Sequence, residues 1–192
     1  MKKVAILIPT KNRVEYLIRT IIYYASIDCP HPIFIGDASS ESSEDLVMKA
    51  AQDKIEVHYF HWENLYDRPT QVKLAQEVKK INDIDYCALH GDDDFFISES
   101  LLKCAEFLEL NPSYATCQGH SFKFELKEDC LYGKLQDISV YSNSSQLNGN
   151  SALDRLKEIS SNYWVPVFSV HRINEFIDDI SNGLNSVTDM EF

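Results

Sequence analysis

The chain has 192 residues with a formal net charge of −12, from 18 Lys and Arg against 30 Asp and Glu; 44% of residues are hydrophobic and 25% charged. That length and balance suit a globular α/β domain with a sizeable core. The acidic surface argues against general nucleic-acid binding and against broad adhesion to anionic membranes, both of which need clustered Lys and Arg. The five cysteines include no C-x-x-C pair, which disfavours a zinc site or a disulfide framework and fits a reducing, cytoplasmic setting. No stretch approaches the roughly 20 apolar residues of a membrane helix, so any membrane association would be peripheral.

Val4 to Ile8 is a continuous apolar run, as expected of a strand covered on both faces. Pro9 to Arg13 is a polar loop. A helix follows, with Val14, Leu17, Ile18, Ile21, Ile22 and Ala25 in one stripe. Ile33 to Ile35 is a second buried strand ending at Gly36-Asp37, and Ser42 or Ser43 can cap the next helix. Ile55 to Phe60 reads as a third strand, and Pro69 suits the first position of a helix running to about Ile81. Asp85 to Leu89 is the fourth strand, and Ser98 is placed to cap a helix carrying Leu101, Leu102, Ala105 and Leu108.

Beyond Asn111-Pro112 the pattern is less regular. Tyr114 to Gln118 and Ser121 to Leu126 have strand character. Lys127 to Asn150 is polar and tyrosine-containing, and Ser142 to Asn150 reads as a mobile loop. Leu153 to Ile159 predicts a helix, Val165 to Val170 a late strand and Ile173 to Ile180 a short helix. The whole is expected to be one domain, 1–192.

Four strand-helix units in sequence imply right-handed crossovers and a three-layer α/β/α sandwich around a mainly parallel, mixed sheet. Ligands in such sheets bind beyond the carboxyl ends of the strands. The loops at 9–13, 37–40 and 92–94 should therefore share one rim. The most informative of them is Gly91-Asp92-Asp93-Asp94-Phe95. Adjacent carboxylates repel by about 1 kcal/mol at 4 Å even in water, so an acidic run at the end of a core strand suggests a divalent cation between its oxygens. Mg²⁺ and Mn²⁺ take such oxygen ligands and share them with substrate phosphates. In extended backbone Asp93 would face away from Asp92 and Asp94.

Ile-Pro-Thr-Lys-Asn-Arg at 8–13, Gly-Asp-Ala-Ser-Ser at 36–40 and Gly-Asp-Asp-Asp-Phe at 91–95, in this order, resemble the nucleotide-diphospho-sugar glycosyltransferases of the GT-A fold, the family-2-like group in particular. The resemblance is strongest over residues 3–110, and it implies a nucleotide-sugar-binding half at 1–110 and an acceptor-side half at 111–192, cut short at the C-terminus. It implies a metal-dependent, inverting transfer of a sugar from a nucleotide-diphosphate donor to a hydroxyl acceptor, such as a growing glycan or a lipid-linked one. It implies donor-binding roles for Pro9, Thr10, Arg13, Asp37, Lys73, Asp92 and Asp93. It also implies Mn²⁺ or Mg²⁺ on Asp92 and Asp94, and a catalytic base at Asp189 with Glu191 second. His90-Gly91 departs from the apolar residue usual before the acidic set. The alternative is a non-catalytic nucleotide-sugar-binding domain. The absence of G-x-x-x-x-G-K-[ST] and G-x-G-x-x-G removes P-loop and dinucleotide readings.

Overall fold

A computed structural model describes residues 3–65, 67–81, 83–128, 130–142 and 146–188. One compact unit holds the chain up to Cys117 and again from Ser169, and Gln118–Phe168 forms another.

In the first unit, β1 (Val4–Thr10), α1 (Val14–Ser26), β2 (Ile33–Asp37), α2 (Glu44–Ala51), β3 (Val57–His61), α3 (Asp67–Lys79), β4 (Tyr86–Leu89) and α4 (Ser98–Leu110) follow one another. Two short strands, β5 (Thr116–Cys117) and β8 (Val170–Arg172), and α6 (Ile173–Thr188) complete it. The six strands lie in the order β3-β2-β1-β4-β8-β5. The first four are parallel, while β8 runs antiparallel to β4 and β5.

Burial on both faces explains the continuous apolar runs. Val4, Ile6 and Ile8 of β1 pack with Leu17, Ile21 and Tyr24 of α1, Val47 and Ala51 of α2, and Leu101, Ala105 and Leu108 of α4. The intervening Ala5 and Leu7 face Leu74, Ala75 and Val78 of α3, with Ile173 and Phe176 of α6. The α/β architecture with a mostly parallel, mixed central sheet flanked by helices is thus as the sequence suggests.

Several boundaries differ from the sequence reading. The helix holding Pro69 starts two residues earlier, at Asp67. Ser98 is the first helical residue rather than a cap, and Ile97 in the N-cap position makes no side-chain capping bond. The late strand is Val170–Arg172, because Pro166–Phe168 forms a 3₁₀ turn instead. α6 extends to Thr188, well past Ile180. Among the described residues no helix is long and apolar enough to cross a membrane.

In the second unit, β6 (Ser121–Leu126) and β7 (Leu135–Ser142) form an antiparallel hairpin, and α5 spans Ala152–Ser161. β7 lies inside the segment read from sequence as irregular. The N-terminus of α5 is fixed by a capping box. The Ser151 hydroxyl accepts from the Asp154 amide at 3.1 Å, and Asp154 Oδ2 accepts from the Ser151 amide at 3.2 Å. Trp164 is buried, with its indole N–H lacking a hydrogen-bond partner among the described residues.

Candidate functional site

The chain leaves β1 for β2 on one side, while β4 lies on the other, so the strand order reverses at β1. In open α/β sheets such a reversal marks the crevice where ligands bind, here beyond the carboxyl ends of β1 and β4. Thr10 closes β1 and pairs in register with Asp37, the last residue of β2. His90, just past β4, donates its amide to Leu7 O at 3.2 Å and aligns the two strand ends.

These contacts bring the three rim loops together. The Thr10 hydroxyl donates to Asp92 Oδ2 at 2.7 Å, and the Ala38 amide donates to Thr10 O at 2.9 Å. The Asn12 amide donates to Ser39 Oγ at 2.8 Å, with Asn12 itself at φ 56°. Short polar residues such as Asn enter this left-handed region at the lowest cost after glycine.

The acidic run is a turn, which overturns the expectation that Asp93 faces away. The Asp94 amide donates to Gly91 O at 3.3 Å, closing a four-residue turn over 91–94. The alternation of extended backbone is lost. Asp92 and Asp93 consequently both reach Arg13, whose Nη2 donates to Asp93 Oδ2 at 2.6 Å and whose Nη1 lies 3.1 Å from Asp92 Oδ1. Asp94 Oδ2 accepts from the Gly91 amide at 3.3 Å. The guanidinium of Arg13 also lies 4.4 Å from the centre of the Tyr16 ring.

Asp92 is only 3% exposed. Burial pushes its pKa upward, against the Thr10 hydrogen bond and the Arg13 charge, which favour the ionised form. Its Oδ1 is buried without a hydrogen-bond partner among the described residues, since the Arg13 contact pairs charges without hydrogen-bond alignment. Asp94 is pushed upward by burial first and by the Asp93 charge second. The hydrogen bond to Asp93 holds Arg13 still more firmly in its protonated form.

The face of α1 toward the turn carries polar groups that sequence reading passed over. The Thr20 hydroxyl donates to Asp92 O at 2.7 Å, Arg19 Nη2 donates to Asp93 O at 3.2 Å, and the Tyr23 hydroxyl donates to Phe96 O at 3.0 Å. Tyr24, fully buried, accepts from the Phe96 amide at 3.0 Å and lies 2.8 Å from His90 Nε2. The Tyr24 hydroxyl therefore donates to Nε2, which assigns the ring proton of His90 to Nδ1. Burial pushes the pKa of His90 down to about 4. The signal for Thr20 and Tyr24 was their place, four residues apart, within an apolar helical stripe. Buried polar groups there require partners.

On the β2 side, Asp37 is 1% exposed. Its Oδ1 accepts from the Ser39 amide at 2.8 Å and its Oδ2 accepts from the Tyr59 hydroxyl. Burial and the bond to Asp37 push the Tyr59 phenol up to about 12. Pro9 precedes Thr10 in β1. Lys73 on α3 is placed over the indole of Trp62, 5.0 Å from the ring centre, next to the end of β3. Asp189 and Glu191 lie outside the described residues. Among the described residues no group of three or more His, Cys, Asp or Glu is arranged to hold a metal ion.

No family model and no curated protein matches this sequence. Solved structures do. A crystal structure of S. aureus TarS aligns with a TM-score of 0.56 at 15% identity, covering 92% of this chain and 29% of that one. S. aureus TarS 1-349 in complex with UDP-GlcNAc aligns with a TM-score of 0.58 at 13% identity, covering 92% and 47%. The same protein in complex with UDP aligns with a TM-score of 0.55 at 13% identity, covering 92% and 48%. The chain spans less than half the length of these structures. At such low identity the likeness concerns architecture alone.

Proposed function

We propose that the chain is the nucleotide-sugar-binding part of a glycosyltransferase that moves a sugar from a nucleotide-diphosphate donor to a hydroxyl acceptor in glycan or polysaccharide synthesis, with a bound dication. One observation carries this reading. Thr10, Arg13 and the buried Asp92 meet in the crevice at the strand-order reversal, with Asp37 one strand away, in a fold shared with structures solved with UDP-GlcNAc and UDP. Those ligands make uridine-diphosphate sugars the donor class to try first.

Two features favour a dication in this turn. Among the described residues Asp92 Oδ1 is a buried carboxylate oxygen with the Arg13 charge 3.1 Å away but no hydrogen bond, and Asp94 supplies a second carboxylate in the same turn. Two carboxylates completed by substrate phosphates are the usual way of holding Mg²⁺, and Mn²⁺ takes the same oxygen ligands. Bound there, Mn²⁺ or Mg²⁺ would supply Lewis-acid stabilisation of the charge on the departing diphosphate.

The remaining roles belong to the chain itself. Pro9 and Thr10 wall the nucleotide pocket. Asp37 accepts hydrogen bonds from base or ribose, and its present donors, Ser39 and Tyr59, hold its carboxylate in place. Asp92 is assigned to the ribose or the metal, and Arg13 to the phosphate oxygens. Lys73 and Asp93 complete the set of donor contacts.

In an inverting transfer, a carboxylate removes the proton of the acceptor hydroxyl. That oxygen then attacks the anomeric carbon from the face opposite the diphosphate, which leaves with the bonding pair. Asp189, with Glu191 second, is our candidate for that base.

The test is titration of UDP and UDP-GlcNAc into the protein with and without Mn²⁺, together with a radiolabel assay for transfer or hydrolysis. Donor binding that strengthens with Mn²⁺ and is abolished by Asp94→Ala is the expected result. Binding indifferent to both would refute the assignment. Donor binding without turnover of the sugar would leave a binding domain rather than an enzyme.

A further inference from the structure

We propose that Arg13 is an exchangeable counter-cation. It neutralises Asp92 and Asp93 in the ligand-free protein and is released to the donor's diphosphate when dication and nucleotide bind together. This rests on the glycosyltransferase reading above and adds to it a coupling between the two ligands.

Three features separate Arg13 from the groups that build the turn. First, the turn is held without it. Thr10 and Thr20 bond Asp92, Arg19 bonds the Asp93 carbonyl, Gly91 and Asp94 bond each other, and Tyr24 anchors Phe96. Withdrawing Arg13 leaves every one of these bonds in place.

Second, the Arg13 contacts are of the kind that exchange. Its side chain is 43% exposed and that of Asp93 41% exposed, so their hydrogen bond competes with water and contributes little. The contact to Asp92 Oδ1 lacks hydrogen-bond alignment, leaving a buried oxygen with charge compensation but no donor. A ligand that coordinates this oxygen improves on the present arrangement.

Third, Arg13 has somewhere to go. It is the N-cap residue of α1, outside the helix proper, and its guanidinium rests on the Tyr16 ring. Stacking on an aromatic face leaves the edge donors of a guanidinium available to an oxygen ligand. A forked guanidinium also matches phosphate oxygens as well as it matches a carboxylate.

The consequence is opposite signs for one substitution. Without nucleotide, Arg13 competes with a dication for the carboxylates. With nucleotide, it helps to hold the phosphates. Mn²⁺ binding to the nucleotide-free protein would be followed by electron paramagnetic resonance, and UDP binding at saturating Mn²⁺ by calorimetry, for wild type, Arg13→Gln, Arg13→Lys and Asp94→Asn.

Arg13→Gln is expected to bind Mn²⁺ alone about 3 to 10 times more tightly, in the range of ordinary coupling factors, and UDP about 10 times more weakly. Arg13→Lys should fall between, and its melting temperature should stay close to wild type because it keeps a charge facing the buried Asp92. An Mn²⁺ affinity that is unchanged or weaker in Arg13→Gln, or an unchanged UDP affinity, overturns the exchange. If Asp94→Asn abolishes the synergy of Mn²⁺ and UDP while Arg13→Gln behaves as wild type, only the exchange has failed. If wild type itself shows no such synergy, the dication reading has failed and takes the exchange with it.

Discussion

Gly36→Ala tests the close approach of α3 to the strand that carries Asp37. No glycine among the described residues has positive φ, so alanine is compatible with the backbone at this position. On conformational grounds alone the substitution should then stabilise the protein by about 0.4–1 kcal/mol, through the unfolded chain. The packing opposes this. A Cβ on Gly36 would stand 2.6 Å from Thr70 Cγ2 and 3.1 Å from Leu74 Cδ1 and Cγ. Comfortable carbon contacts are about 3.5–4.0 Å, so the overlap with Thr70 is roughly 1 Å. Thr70 is β-branched and set in a helix, where its χ1 has little freedom, so the relief must come from a shift of α3. Overpacking of this size costs about 1–3 kcal/mol. The net expectation is a loss of about 1–2 kcal/mol, or roughly 2–8 °C in melting temperature for a chain of this size. Thr70→Ser removes the offending methyl group and keeps the hydroxyl, so in that background the cost of Gly36→Ala should shrink by about 1 kcal/mol. Urea denaturation of the four proteins of this double-mutant cycle measures the coupling. Gly36→Ala as stable as wild type, or additive with Thr70→Ser, would refute the packing argument.

Two further outcomes follow from the same structure. Thr10→Val keeps the shape of the side chain but removes the hydroxyl that donates to the buried Asp92 carboxylate. It should lower stability by about 2 kcal/mol, as expected for a hydrogen bond to a charged group, and a melting temperature equal to wild type would contradict that bond. Burial holds the pKa values of His90 and His171 down at about 4, against 6.5 for the free imidazole. The folded state therefore binds fewer protons than the unfolded chain between those values. The stability concerned is fully present above pH 6.5 and is lost as pH falls through about 4, by roughly 3 kcal/mol for each histidine. His171→Leu should flatten the decline measured between pH 7 and pH 4, and a slope identical to wild type would exclude His171 from it.

Much of the first unit was legible because burial on both faces of the sheet leaves an unmistakable mark. Val4 to Ile8, Ile33 to Ile35 and Tyr86 to Leu89 had no other economical reading, and the stripe of α1 told which of its faces was covered. β7 was not legible. Its Leu135, Ile138 and Val140 remain exposed among polar neighbours, so the segment carries the composition of a loop. Pro166 misled in the other direction, because the apolar residues around it suggested a strand where the backbone turns.

The chain's local order determined which residues end which strands, and hence that Thr10, Asp37 and the three aspartates stand on a common rim. Strand alternation and parallel crossovers require no knowledge of partners. What only the tertiary structure decided is how the charges on that rim are shared. Thr10 and Asp92 are 82 residues apart and meet at 2.7 Å, and Arg13 reaches Asp93 across 80 residues. Neither pairing has a local signature, because a hydrogen bond is specified by a few ångströms of geometry at the end of a long chain path. The turn at 91–94, which swings Asp93 toward Arg13, is closed locally between Gly91 and Asp94 and braced from α1 by Thr20, Arg19 and Tyr24, which no local pattern announces.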